Sequence, residues 1–185
     1  MDYRQLNQRT LKDCYSLPRT DASLDDLGGS KWFSTFDLQN GYHQVEMDAA
    51  DADNITFLTR NGSIRFKVMS FRLCNTPATF QRLMNVVLSG LSVDVMLVYL
   101  DDIIVHSTDL PSHLERLKIL FQRLRWAELK LKISKRSLLR KEVSFLGHRI
   151  SKDGVSTHPA KIQDAADWAA PNSLREIRSF VGLCS

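Results

Sequence analysis

The sequence is poor in cysteine, glycine and proline: its 185 residues hold 3 Cys, 8 Gly and 5 Pro. Cys14, Cys74 and Cys184 lie far apart, are odd in number, form no C-x-x-C pair and have no histidine cluster near them at ligand spacing. That pattern excludes a disulfide scaffold and a structural zinc site, and it points to a reducing, intracellular compartment. The lack of internal repeats and low-complexity linkers excludes a solenoid or a fibrous chain. No apolar leader opens the sequence. The most apolar run, Val95 to Val105, is interrupted by Asp101 and Asp102 and falls far short of a membrane span, so no membrane partner is expected.

What is present is enough for one ordinary domain with a real core: 43% of residues are hydrophobic over a length that leaves room for only a small appendage. The net charge of +4 is unevenly laid out. Residues 1–111 hold 10 Lys/Arg against 14 Asp/Glu, residues 112–149 hold 11 against 3, and residues 150–185 hold 4 against 4. A second basic cluster, Arg60, Arg65, Lys67, Arg72 and Arg82, runs through residues 60–82 without one acidic residue. Such patches suit a phosphate backbone, although a basic run also serves as a plain solvated helix face.

Turn and cap signals order the elements. Trp32 to Leu38 is aromatic and apolar and reads as a strand that carries Asp37 near its end, with Gly41 breaking it. Ile55–Thr59 and Ile64–Val68 flank Asn61-Gly62 as a hairpin with one apolar and one basic face. Thr76-Pro77 opens an amphipathic helix, Thr76 as N-cap, with Phe80, Leu83, Met84, Val87, Leu88 and Leu91 at helical spacing. Val93–Leu100 and Ile103–Val105 are apolar runs separated by Asp101-Asp102, the layout of a tight hairpin. Ser112-x-x-Glu115 forms a capping box, and Leu114, Leu117, Leu120, Phe121 and Leu124 mark the buried stripe of the next helix. Val143 to Ile150 reads as a short strand around Gly147, followed by a turn at Asp153-Gly154. A helical region begins near Pro159, and a second capping box, Ser173-x-x-Glu176, opens a helix running to the C-terminus. Strands and helices in this order predict an α+β domain, an antiparallel sheet covered by helices.

Asp37 and the Asp101-Asp102 pair are far apart in sequence, yet each sits at the end or turn of a strand predicted for one sheet. Three carboxylates at a sheet edge form a hard-oxygen ligand set for two Mg²⁺ ions, the arrangement of two-metal nucleotidyl transfer. Asp-Asp between two apolar strands is also a good turn sequence, and alone it favours the turn. Adjacent like charges in an apolar surround are costly without a cation, which tips the balance toward a metal site.

Val98-Tyr99-Leu100-Asp101-Asp102-Ile103-Ile104-Val105 resembles the Y-x-D-D hairpin of reverse transcriptases in the form typical of gypsy-type LTR retrotransposons. Phe33 to Gln44 is similar to their first catalytic-aspartate motif. Asp2 to Asn7, Asn75 to Gln81, Phe145 to His148 and Phe180 to Leu183 extend the resemblance along nearly the whole chain. It implies a polymerase palm with partial fingers over residues 1–150, ending in a primer-grip-like hairpin, and the start of a thumb or connection region over 151–185. A chain cut short at both ends is expected, with weak polymerisation or none in isolation.

The resemblance implies roles for single residues. Asp37, Asp101 and Asp102 match the metal-binding triad for two Mg²⁺, with Mn²⁺ as a substitute and the Leu38 carbonyl as an extra ligand. Tyr42 matches the aromatic gate against a 2′-hydroxyl, and Arg4, Arg72 and Gln81 lie toward the deoxynucleotide. Lys135 corresponds to a proton donor for leaving pyrophosphate. Tyr99, Leu100, Leu146, Gly147 and His148 contact primer and template. The implied activity is RNA-directed DNA polymerisation on an RNA or DNA template, as part of a pol polyprotein with protease, ribonuclease H and integrase. The implied location is the cytoplasm or a virus-like particle, with the nucleus a further destination. Departures stand at Ser70 and Arg72, where proline and glycine are usual, at Glu128 and Ile133, where glycine and proline are expected, and at Arg136 in place of cysteine. Arg72 is the serious one, because glycine there lets the backbone approach the nucleotide. It leaves a second reading open, a catalytically inactive remnant that keeps only nucleic-acid binding or assembly.

Overall fold

The structure is a computed structural model, and it describes residues 1–18, 24, 27–91, 95–157, 168 and 170–184. The described helices are α1 (Arg4–Arg9), α2 (Thr76–Val87), α3 (Leu110–Trp126) and α4 (Leu174–Cys184). The strands are β1 (Trp32–Asp37), β2 (Phe57–Thr59), β3 (Gly62–Ile64), β4 (Met96–Tyr99), β5 (Asp102–Ser107), β6 (Ser137–Arg140), β7 (Glu142–Phe145), β8 (His148–Ser151) and β9 (Gly154–Thr157). β4, β5, β1 and β6 form an antiparallel sheet in that order. β2–β3 is a separate hairpin, and β7–β8–β9 is a second antiparallel sheet. The α+β expectation holds.

Strand alternation gives the central sheet two buried faces. Phe36, Met96, Ile103 and Val105 point to one core with Phe80 and Met84 of α2 and Leu117, Leu120 and Leu124 of α3. Phe33, Leu97 and Ile104 point the other way, against Val143, Phe145 and Ile150 of the β7–β9 sheet. Burial on both faces explains why β4 and β5 read as continuous apolar runs. No described helix is long and apolar enough to cross a membrane.

Several boundaries differ from expectation for local reasons. The β2–β3 hairpin is shorter than predicted, since Ile55 closes a 3₁₀ turn and Val68 bridges to Glu46. Asn75 occupies the N-cap position of α2, and Thr76 instead donates its hydroxyl to the Ser70 carbonyl. The cap of α3 is Asp109, whose side chain accepts the Ser112 N–H, so Pro111 lies inside the first turn and the Ser112 box is superseded. Leu114 and Phe121, expected in the buried stripe, are 50% and 41% exposed, and His113 is buried in their stead. The run Val143 to Ile150 is two strands joined by Leu146-Gly147, both at positive φ, as a two-residue hairpin turn requires. The region near Pro159 lies outside the described residues. The Ser173–Glu176 box is present, with Ser173 Oγ accepting from Glu176 N and Glu176 from Asn172 N.

The departures Arg72 and Glu128 fall on left-handed backbone, with φ 71° and 56°. Glu128 is the C′ residue of a Schellman closure of α3. Its N–H bonds the Arg125 carbonyl at 3.2 Å, and Leu129 N bonds the Leu124 carbonyl at 2.9 Å. Both positions want glycine, which is why each reads as a departure.

Candidate active site

The register of the central sheet brings the aspartates together. Asp37 pairs directly with Asp102, and Tyr99 pairs with Asp102 across the hairpin, leaving Leu100-Asp101 as its two-residue turn. The Leu38 N–H closes the edge by bonding the Asp101 carbonyl at 3.0 Å. Leu100 takes the positive φ (55°) that the first position of such a turn demands. A turn that forces a leucine left-handed needs an external hold, and Gln81 supplies it. Its Oε1 accepts the Leu100 N–H at 2.7 Å, while its Nε2 donates to the Val98 carbonyl at 3.3 Å and to Asn85 Oδ1 at 3.0 Å. Gln81 is fully buried. Its amide is committed to the hairpin backbone and to Asn85. Its position on the Ala78–Met84 side of α2 was the available signal.

Asp37 is braced from its other side. Its carbonyl accepts Lys132 N–H at 2.8 Å, and its carboxylate oxygen Oδ2 accepts Lys135 Nζ at 2.8 Å. Gln44 stitches the following loop to the same segment, donating to the Gln39 and Lys130 carbonyls and accepting from Lys130 N. A cavity of about 150 Å³ opens beside Asp37, Asp102 and Lys135, with Ser144, Phe145 and Leu146 on its far wall. Leu146 of the Leu146-Gly147 turn thereby lines the same cavity as Asp37 and Asp102.

The charges interact as close packing demands. Burial pushes the Asp102 carboxyl above the ordinary aspartate range, Asp101 and Asp37 add to it, and Lys135 opposes it. The Lys135 ammonium is raised by its hydrogen bond to Asp37, with smaller help from Asp102 and Asp101. Three carboxylates against one lysine favour a further cation, and the all-oxygen donor set fits Mg²⁺ or Mn²⁺. No three metal-ligating side chains are already gathered at one point among the described residues. Lys135 engages one oxygen of Asp37, and a carboxylate has a second oxygen and further lone pairs to offer a metal.

Tyr42 follows in the 3₁₀ turn Gly41–Gln44, its ring 5.0 Å from that of Phe71 and 5.2 Å from that of Phe80. Burial first, then Asp101 and Tyr99, raise its hydroxyl above the usual tyrosine range. Gly41 is required by proximity, since a Cβ there would stand 2.8 Å from Phe80 Cζ and 3.3 Å from Asp101 Cβ. Arg72 is exposed, with Nη1 3.4 Å from the Met1 carbonyl and its own carbonyl receiving Asn7 Nδ2 at 2.8 Å. Arg4 is 87% exposed and paired with Asp2 at 2.6 Å, a contact that does not reach the aspartates. Sequence reasoning missed Gln44 and Asn7 as braces of the loops around the site, and it missed the buried His113.

A family model described as reverse transcriptase (RNA-dependent DNA polymerase) matches residues 1–150. The chain is 43% identical over 183 residues to the retrovirus-related Pol polyprotein from transposon 297 of Drosophila melanogaster, covering 99% of this chain and 17% of that protein. It is 31% identical over 185 residues to the Pol polyprotein from transposon gypsy of the same organism, covering 100% and 18%. Among solved structures, the foamy viral protease–reverse transcriptase in complex with double-stranded DNA superimposes with a TM-score of 0.91 at 26% identity, covering 98% of this chain and 32% of that one. The chain thus spans under a fifth of the length of these polyproteins.

Proposed function

The chain belongs to the reverse transcriptase family, and from that premise we propose that it is the polymerising palm of a gypsy-type retrotransposon Pol polyprotein. The reaction is the attack of a primer 3′-hydroxyl on the α-phosphate of a deoxynucleotide, directed by an RNA or DNA template. The observation that carries the reading is the direct pairing of Asp37 with Asp102 beside the Leu100-Asp101 turn, which sets three carboxylates at one sheet edge.

Asp37, Asp101 and Asp102, with the Leu38 carbonyl, would hold two Mg²⁺ or Mn²⁺ ions. Bound there, the metals supply charge neutralisation for the attacking and leaving oxygens. Tyr42, backed by Phe71 and Phe80, presents a ring that cannot move aside for a ribose 2′-hydroxyl. Lys135, released from Asp37, carries a proton toward departing pyrophosphate. Tyr99, Leu100, Leu146, Gly147 and His148 line the path of primer and template, and the basic segment 112–149 grips their phosphates. Arg4 and Arg72 reach toward the triphosphate by rotating away from Asp2 and the Met1 carbonyl. Residues 1–150 form this unit, residues 151–185 begin the thumb or connection, and protease, ribonuclease H and integrase are its partners within an intracellular polyprotein.

Primer extension tests the reading with the 185-residue chain, an Arg72→Gly version and an Asp101→Asn control, each with Mg²⁺ and deoxynucleotides. Extension that disappears in the Asp101→Asn control is expected. Extension by neither the chain nor the Arg72→Gly version, with primer–template still bound, would favour the inactive remnant.

A further inference from the structure

The first turn of α3 is anchored by a histidine that no step of the proposed reaction uses. His113 is fully buried, with Nε2 2.8 Å from Ser34 Oγ on β1 and Nδ1 3.0 Å from Ser107 Oγ at the end of β5. The ends of this chain assign its protons. Leu139 N–H donates to Ser34 Oγ at 3.1 Å, and the Ser107 hydroxyl donates to the Asp109 carbonyl at 2.9 Å. Ser107 has only one proton, so it must accept from Nδ1–H, whereas Ser34 keeps its hydroxyl proton for Nε2. All groups are satisfied in the neutral Nδ1–H tautomer. An Nε2–H tautomer or an imidazolium would aim a second donor at Ser34 Oγ and leave a buried hydroxyl proton without an acceptor.

Ser34 stands where the ladder between β1 and β6 breaks. Phe33 pairs with Arg140 and Thr35 with Ser137, two steps along β1 against three along β6. Leu139 lies within that bulge at φ 51°, and Ser34 Oγ receives its N–H. The 3₁₀ turn Ile133–Lys135 ends two residues before β6, and from it Lys135 reaches Asp37 at 2.8 Å. A register slip of one residue in β6 would turn its side chains to the opposite face and displace that lysine.

We infer that His113 is a positioning residue for the carboxylate site: fixed as the Nδ1–H tautomer, it holds Ser34 Oγ as acceptor for the bulge at Leu139, and the bulge sets where Lys135 meets Asp37. Its effect on catalysis rests on the nucleotidyl-transfer reading, whereas the tautomer and the bulge stand on geometry alone.

Nitrogen-15 NMR of the full 185-residue chain should show a pyrrole-type Nδ1 and a pyridine-type Nε2 at His113. Hydrogen exchange at the Leu139 amide should be slow in the parent and in His113→Gln, whose amide oxygen reaches Ser34. It should be fast in Ser34→Ala and in His113→Asn, whose shorter amide reaches only Ser107. In primer extension His113→Asn should lower kcat by about 10-fold or more without raising KM for the deoxynucleotide. His113→Gln should stay within about threefold of the parent, although both variants lose the same ring. An Nε2–H tautomer, a Leu139 amide still protected in Ser34→Ala, or equal kinetic loss in the two variants overturns the inference. If neither the parent nor Arg72→Gly extends primer, the polymerase reading fails, and the tautomer and Leu139 exchange still decide the positioning one.

Discussion

Replacing Arg72 with glycine should stabilise the fold, and the size of the gain follows from the local geometry. Arg72 holds φ 71° between two bonds from Asn7, whose Nδ2 donates to the Arg72 carbonyl at 2.8 Å and whose Oδ1 accepts the Cys74 N–H at 2.9 Å. Left-handed backbone costs an L-residue about 1–2 kcal/mol that glycine does not incur. Against this, glycine loosens the unfolded chain by roughly 0.5–1 kcal/mol. The guanidinium bond to the Met1 carbonyl is at the 3.4 Å limit on an exposed side chain and contributes on the order of 0 kcal/mol. The net is a stabilisation of about 0.5–1 kcal/mol, which for a domain of this size raises Tm by roughly 1–4 °C. Urea denaturation of the chain, Arg72→Gly and Arg72→Ala measures it. Alanine keeps the strain and removes only the guanidinium, so its midpoint should stay near the parent's. A glycine variant no more stable than the alanine one would refute the strain argument.

Glu128→Gly should raise the urea midpoint by the equivalent of about 1 kcal/mol, since the Schellman turn after α3 asks for φ 56° there; an unchanged midpoint would contradict a strained C′ residue. Gly41→Ala should cost about 1–3 kcal/mol by overpacking against Phe80 and Asp101, with primer extension lost in parallel. Parent-like stability and activity together would show that the two side chains can give way. Acid should weaken the fold through His113, whose imidazole burial, with Arg116 and His106 nearby, lowers to about 4 from 6.5. The neutral ring is the folded form, so its contribution is intact above about pH 6.5 and falls by up to about 3 kcal/mol as pH drops toward 4. Stability measured at pH 7, 5.5 and 4 should show that decline in the parent and a shallower one in His113→Gln. Equal declines would assign it to another group.

The aspartates were legible because they break a pattern. Asp37 ends an aromatic strand and Asp101-Asp102 interrupts an apolar run, so charge placed against hydropathy marked the sheet edge before any contact was known. Arg72 and Glu128 were legible in a second way, as side chains standing where the backbone needs glycine, and both fall at positive φ. Gln81 and His113 were not, and the reason is the same for both. Helical periodicity sorts residues by their own hydropathy, so it placed Leu114 in the core and passed over His113 and Gln81 as core residues, and the resemblance turned Gln81 toward the deoxynucleotide. The buried stripe of α3 is His113, Leu117, Leu120 and Leu124: three of the expected leucines hold, while His113 is buried and Leu114 is half-exposed. What makes that stable is the partner set, Ser34 from β1 and Ser107 from β5 for the histidine, and the Val98–Leu100 backbone for the glutamine. A polar side chain is buried at little cost only when its partners are supplied, and here sheet register supplies them from as many as 79 residues away. Local pattern therefore finds the groups that carry charge to the site, whereas the groups that hold those charges in place emerge only once the strands are paired.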